Sequence, residues 1–279
     1  MCTVRTVRTA AALAAAAALL LSGAASCSGP GDRARTPQEA FRAAAEVMTA
    51  AGAARIALET QDPVDGLRSG GGVLSWGDKP AMDVTMRGSS GDLKVRTLDG
   101  VVYLGADRAQ ADRMGGRRWM TFDPRSSSGD GGGAAAFSTW SERLNPVSDL
   151  TGLAEAGRLR RVGEDRLDNE ETVHYRATAS LDAMVAAGTG LTAAQRLSVL
   201  DMYRKQGATS ITADFWINGR DEVVQAWRDC RTAKGRATTA TRYSGIGIEV
   251  NIQAPLPDDT FDAQDLLDDP QDLPKDATG

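Results

Sequence analysis

Few residues in this 279-residue chain have the types and spacing for covalent or metal chemistry: Cys27, His174 and Cys230. His174 is the one histidine. In Thr172-Val173-His174-Tyr175-Arg176-Ala177-Thr178 it shares a face with Thr172, Arg176 and Thr178, opposite Val173, Tyr175 and Ala177. That pattern predicts a solvent-facing strand position. A Ser-His-Asp or Cys-His arrangement assembles in space, but no Gly-x-Ser-x-Gly elbow accompanies this histidine. One histidine and one unmodified cysteine also fall short of the ligand set of a closed zinc site. Cys230 closes the run Val223 to Asp229, where a free cysteine is buried by default. The expectation is no catalytic residue, no metal and no cofactor, hence no enzyme.

Cys27 has a different chemistry. Arg5 and Arg8 form a basic start, and Ala10 to Leu21 an unbroken apolar run of 12 residues, too short for the roughly 20 that span a bilayer. Leu21-Ser22-Gly23-Ala24-Ala25-Ser26-Cys27 then places small residues before a cysteine. This resembles the lipobox of bacterial lipoproteins, whose cysteine receives acyl groups such as palmitate and becomes the new N-terminus. Ala24 stands where that pattern has Leu. The plainer alternative is a secretory signal cleaved near Ala25, with Cys27 an incidental thiol. With Cys27 acylated, Cys230 has no partner for an internal disulfide in an oxidising compartment. The resulting organisation is a signal peptide over 1–26, a lipid-anchored flexible tether over 27–36, a globular domain over 37–262 and an acidic tail over 263–279. The protein is thus expected on the extracytoplasmic face of the cell membrane.

Charge restricts the partners. Residues 27–279 hold 30 Lys and Arg against 37 Asp and Glu. Eight of those Asp lie from Asp258 onward with one Lys, so the body carries 29 of each sign. A neutral body has no footprint for nucleic acid. The acidic tail lacks the glycine and terminal glutamate of an EF-hand loop, and reads as a solvated C-terminus.

The elements that must position everything else begin with a helix at Thr36-Pro37-Gln38-Glu39, where a cap, a first-turn proline and a capping-box Glu coincide. Phe41, Ala44, Ala45, Val47 and Met48 give it an apolar stripe. Strands are expected over 54–60, 72–76, 81–87, 93–98, 101–105 and 118–122, joined by turns such as Asp99-Gly100 into antiparallel hairpins. A Gly/Ser-rich loop covers 126–133, and its glycines match no phosphate-binding pattern. Short helices follow over 137–144 and 147–156, with Pro146 between them. Strands resume over 159–164 and 171–180, and a helix capped at Thr192 stops at Gly207. Strands over 210–217, 222–230 and 238–252 finish the domain, the last bent at Ser244-Gly245. With few helices long enough for parallel crossovers, this order implies an α+β fold with one antiparallel sheet and helices on one face.

Alternation makes one face of that sheet apolar. Met82, Val84 and Met86 oppose Asp83 and Thr85, and Leu93 and Val95 oppose Lys94 and Arg96. Ile246, Ile248, Val250 and Ile252 oppose Glu249 and Asn251. On periodicity alone this face is an ordinary core closed by the helices.

Three stretches resemble a known family in order. Leu144-Asn145-Pro146-Val147 through Leu153, with Val162-Gly163-Glu164-Asp165 and Glu171-Thr172-Val173-His174-Tyr175, is similar to the middle of the actinobacterial LppX/LprG-type lipoproteins. Ala213-Asp214-Phe215-Trp216-Ile217-Asn218-Gly219 is similar to the family's Trp-containing hairpin. Thr241-Arg242-Tyr243-Ser244 through Ala254-Pro255-Leu256-Pro257-Asp258 is similar to its closing strand. The chain departs from the pattern at Asp168-Asn169-Glu170, Arg220-Asp221 and Ile246-Gly247, where the family has glycine or aromatic residues. The resemblance implies a LolA/LolB-like half-barrel, a strongly curved sheet whose concave face is roofed by helices over a cavity for acyl chains. It implies no catalytic residue, and a lipid or lipoglycan ligand. On that reading Met82, Val84, Met86, Leu93, Val95, Phe215 and Ile217 line the cavity. The alternative is a filled half-barrel that docks an envelope protein or senses envelope state.

Overall fold

The computed structural model of the protein describes residues 35–123 and 141–263, apart from Asp65, Asp78, Ser90 and Gly190. The signal peptide, Cys27, most of the tether, the Gly/Ser-rich loop, the start of the 137–144 helix and the acidic tail beyond Ala263 lie outside the described residues.

Helix α1, Pro37–Ala51, starts as its sequence dictates. The Thr36 hydroxyl accepts from the Glu39 amide, the Glu39 carboxylate accepts from the Thr36 amide, and Gly52 ends the helix in the left-handed region. Six strands follow: β1 (Ala53–Asp62), β2 (Gly66–Ser75), β3 (Ala81–Gly88), β4 (Leu93–Leu98), β5 (Val101–Gly105) and β6 (Trp119–Phe122). Helix α2 (Arg108–Arg113) interrupts before β6. Helix α3 (Pro146–Ala156) begins on Pro146, its first residue, with Asn145 capping the Val147 amide. Strands β7 (Arg158–Leu167) and β8 (Glu170–Ser180) form a hairpin. Helices α4 (Leu181–Ala187) and α5 (Ala193–Lys205) lead to β9 (Ser210–Asn218), β10 (Val223–Thr232), β11 (Gly235–Ser244) and the short β12 (Thr260–Asp262).

All twelve strands join one unclosed sheet in the order β12-β6-β5-β4-β3-β2-β1-β11-β10-β9-β8-β7. The first half of the domain is therefore a meander running outward from β1. The second half is a meander running inward from β7, and the two meet where β1 pairs antiparallel with β11. Each hairpin keeps consecutive strands adjacent, as short loops require. Every pairing is antiparallel except β12 with β6. Asp168 and Asn169 take positive φ of 49° and 68°, so the turn that departs from the family's glycine is still a tight two-residue hairpin, because Asp and Asn tolerate the left-handed region.

Strand β2 carries three consecutive glycines at the sheet's middle. A side chain on Gly70 or Gly72 would stand 1.9 Å from the carbonyl oxygen of Thr85 or Asp83, and one on Gly71 would stand 2.4 Å from that of Ile56. Only glycine permits this approach of the neighbouring backbones.

Two expectations are corrected. The strand over 238–252 ends at Ser244, because Gly245 and Gly247 adopt φ of 53° and 80° and turn the chain away, with the Gly247 amide donating to Ala53 O. Ile246, Ile248, Val250 and Ile252 keep alternating exposure yet lie in no strand. Helices α2 and α4 and strand β12 were not expected. Each is seven residues or fewer, too short for periodicity to show.

Candidate functional site

Helices α1, α3, α4 and α5 contribute to one core against the sheet. Phe41 of α1 meets Phe215 and Tyr175 edge to face, with ring centroids 5.2 and 5.9 Å apart, and Trp76 Nε1 donates to Met48 O over 2.7 Å. Those contacts fasten both ends of α1 across the sheet. Helix α3 packs on α1 and α4, and the helices come closest to the sheet backbone at β7 and β8.

Beneath them the apolar face is continuous. Met82, Val84 and Val95 have no exposure, Met86 1%, Phe215 none and Ile217 3%, and all six belong to one core with Phe41, Met48, Leu150, Leu153 and Met184. Leu93 is half-buried at its margin. The register explains the gathering, since Val84 pairs with Val95 and Met86 with Leu93 across β3 and β4. Phe215 and Ile217 reach the same interior from β9, on the other half of the sheet. The seven residues named from the sequence are thus on one interior. Ile217 also borders a surface cleft of about 770 Å³ with Asp165, Thr172, Val173 and Asn218. A second cleft of about 540 Å³ is lined by charged side chains already paired, Arg220 with Glu222 and Arg242 with Asp168.

The interior holds one polar island that the sequence reading missed. Arg228 of β10 and Asp149 of α3 form an ion pair, with Arg228 4% and Asp149 7% exposed. Burial disfavours the charged guanidinium, but Asp149, helped by Tyr243, outweighs it and holds Arg228 well above the ordinary range. Tyr243 Oη donates to Leu144 O over 3.0 Å. Cys230, on the same strand face, is buried, and burial pushes its thiol up to about 11. Alternation would have put Arg228 in line with Ala226 and Cys230, but an arginine among inward residues reads from sequence as a break in the pattern.

His174 is corrected as well. It lies on the outer face, as the alternation says, but its side chain is only 16% exposed. Its ring stacks on Trp216 at 4.4 Å and 8°, and Nε2 stands 2.5 Å from Oδ1 of Asp214, which also accepts from Arg176 Nε at 2.8 Å. Trp216 in turn donates to Asp165 Oδ2 over 2.9 Å. The strands on either side of β8 leave the ring little exposed. Among the described residues, no group of three His, Cys, Asp or Glu is placed to hold a metal ion, and no helix is long and apolar enough to cross a membrane.

No family model matches the chain. It is 25% identical over 242 residues to a Streptomyces coelicolor protein provisionally named a lipoprotein, a match covering 82% of this chain and 76% of that protein. It is 23% identical over 181 residues to an uncharacterized 31.2 kDa protein of Streptomyces griseus, covering 64% of this chain; the match spans 59% of that relative's length. Among solved structures it is similar to the Mycobacterium tuberculosis lipoprotein LppX at 13% identity, with a TM-score of 0.48 over 77% of this chain and 97% of that one. Along most of its length, then, this chain is similar in sequence to a Streptomyces protein that carries the name of a lipoprotein.

Proposed function

We propose that this protein is an extracytoplasmic lipoprotein, anchored to the membrane through acylated Cys27, that binds amphipathic lipid between its sheet and its helices and catalyses no reaction. The lipobox-like run before Cys27 and the name of the Streptomyces coelicolor relative support the anchor. The observation that carries the binding is the interior. Met82, Val84, Met86, Leu93 and Val95 from one half of the sheet and Phe215 and Ile217 from the other form one apolar surface under helices. Four methionines, Met48, Met82, Met86 and Met184, lie in it. Each methylene of an acyl chain buried there contributes about 0.8 kcal/mol, and the unbranched methionines adapt to chains of different shape.

Native mass spectrometry of the purified protein, with organic extraction, tests this directly. Val84→Asp and Val95→Asp are then compared with wild type for bound lipid and for the unfolding midpoint. A charge in a closed core costs several kcal/mol, whereas one in a lipid-accessible interior is hydrated. The expected result is lipid on wild type and a folded, lipid-free variant. Unfolded variants together with lipid-free wild type would instead establish the second reading, a filled interaction or envelope-sensing lipoprotein. The near-complete burial of six of the seven residues favours that reading.

A further inference from the structure

We infer that the interior contains a subsite for the acidic headgroup of an amphiphile, formed by the guanidinium groups of Arg228 and Arg143 beside Asp149. The inference rests on the lipid-binding reading above and narrows the ligand to an anionic class.

Buried donors without acceptors carry it. Arg228 places Nε on the Asp149 carboxylate and Nη1 at 3.5 Å from Thr241 Oγ1, while its Nη2, fully covered, has no hydrogen-bond partner. Arg143, just before α3, sets its guanidinium 5.0 Å above the Tyr203 ring and Nη1 at 3.6 Å from Met202 Sδ. Its Nε is likewise buried and unpartnered. Folded proteins satisfy almost all such groups, so two orphaned guanidinium donors in one region point to an acceptor supplied from outside the chain. Both guanidiniums act on Tyr203 and Cys230, and among the described residues Asp149 is the one carboxylate in an ion pair with either. Burial raises the carboxyl of Glu142, next to Arg143, above its ordinary value, and its Oε2 is also buried without a partner. A guanidinium's planar fork of donors suits a carboxylate or phosphate. The surroundings suit the rest of the molecule. Leu150 and Leu153 flank Asp149 on α3, and Val223 and Ala226 share the inner face of β10 with Arg228, all buried. An acyl chain would lie there with its headgroup against the arginines.

The test uses isothermal titration of the purified protein at pH 7.5 with decyl phosphate, decanol and inorganic phosphate, each below any critical micelle concentration. Wild type is expected to bind decyl phosphate at least ten times more tightly than decanol, and inorganic phosphate far more weakly than either. Arg143→Gln leaves the Asp149 pair intact, and Arg228→Lys keeps the charge but loses the fork. Both are expected to bring decyl phosphate within about threefold of decanol while leaving decanol unchanged. Equal binding of the two amphiphiles by wild type overturns the headgroup site and leaves lipid binding standing. Binding of neither overturns both readings. Inorganic phosphate bound as tightly as decyl phosphate overturns an amphiphile as the source of the anion. If Arg228→Lys does not fold, Arg143→Gln decides alone, and an undiminished preference in it overturns the inference.

Discussion

His174 of β8 and Asp214 of β9 share a 2.5 Å contact between Nε2 and Oδ1 on the outer face of the sheet, under the ring of Trp216. Asp214 is 1% exposed and also accepts from Arg176, so a carboxylate lies covered on a face that alternation assigns to water. The cross-strand register produces this arrangement. His174 lies opposite Trp216 and Arg176 opposite Asp214, which puts His174 and Asp214 on a diagonal within reach of each other.

His174→Ala is accordingly expected to destabilise the domain by about 1–2 kcal/mol, since it removes a stacking partner of Trp216 and a hydrogen bond to a buried carboxylate. Urea unfolding followed by tryptophan fluorescence reads this shift. A change below about 0.5 kcal/mol, the usual size for an exposed strand position, would show the contact to be idle.

Gly70, Gly71 and Gly72 of β2 are expected to be far less replaceable than Gly163 of β7. Gly72→Ala forces a Cβ to within 1.9 Å of Asp83 O, and the cost should reach about 3 kcal/mol or more. Gly163, at the bulge of β7, has open space around a would-be Cβ, so Gly163→Ala should stay within about 0.5 kcal/mol of wild type. Chemical denaturation of the two variants compares them. Similar midpoints would mean that the sheet relaxes freely at Gly72.

The buried thiol gives a pH dependence with a definite sign. Cys230 has an ordinary value of 9.0, and burial pushes it up to about 11 in the folded chain. The unfolded chain therefore releases this proton first. The stability it contributes is fully present below pH 9 and is lost as pH rises from 9 to 11, by on the order of 2 kcal/mol. Burial also raises Tyr203 and Tyr243, which add to the loss above pH 10, so the difference between wild type and Cys230→Ala isolates the thiol. Parallel stability curves for the two proteins between pH 9 and 11 would contradict this, as would rapid labelling of Cys230 by iodoacetamide at pH 8.

Anchoring is tested apart from the fold. Cys27→Ser is expected to move the protein from the membrane fraction to the medium or to leave an uncleaved precursor. Wild-type protein already soluble, starting near Cys27 and without acyl mass, would refute the anchor.

The sequence by itself determined the local elements. Thr36, Pro37 and Glu39 specify the start of α1, Asn145 and Pro146 that of α3, and Thr192 with Gln195 that of α5, because capping depends on residues two or three apart in the chain. Alternation likewise assigned Met82, Val84, Met86 and Val95 to one face, since side chains in a strand must point to opposite sides. What only the tertiary structure decided is which distant residues meet. Phe215 joins Phe41 across 174 positions of chain, Arg228 finds Asp149 inside the core, and His174 finds Asp214 outside it. Sequence patterns of period 2 or 3.6 report the direction of a side chain from its own backbone. Register between strands and the seating of helices on a sheet are fixed by packing among all elements at once, and no local pattern encodes that sum.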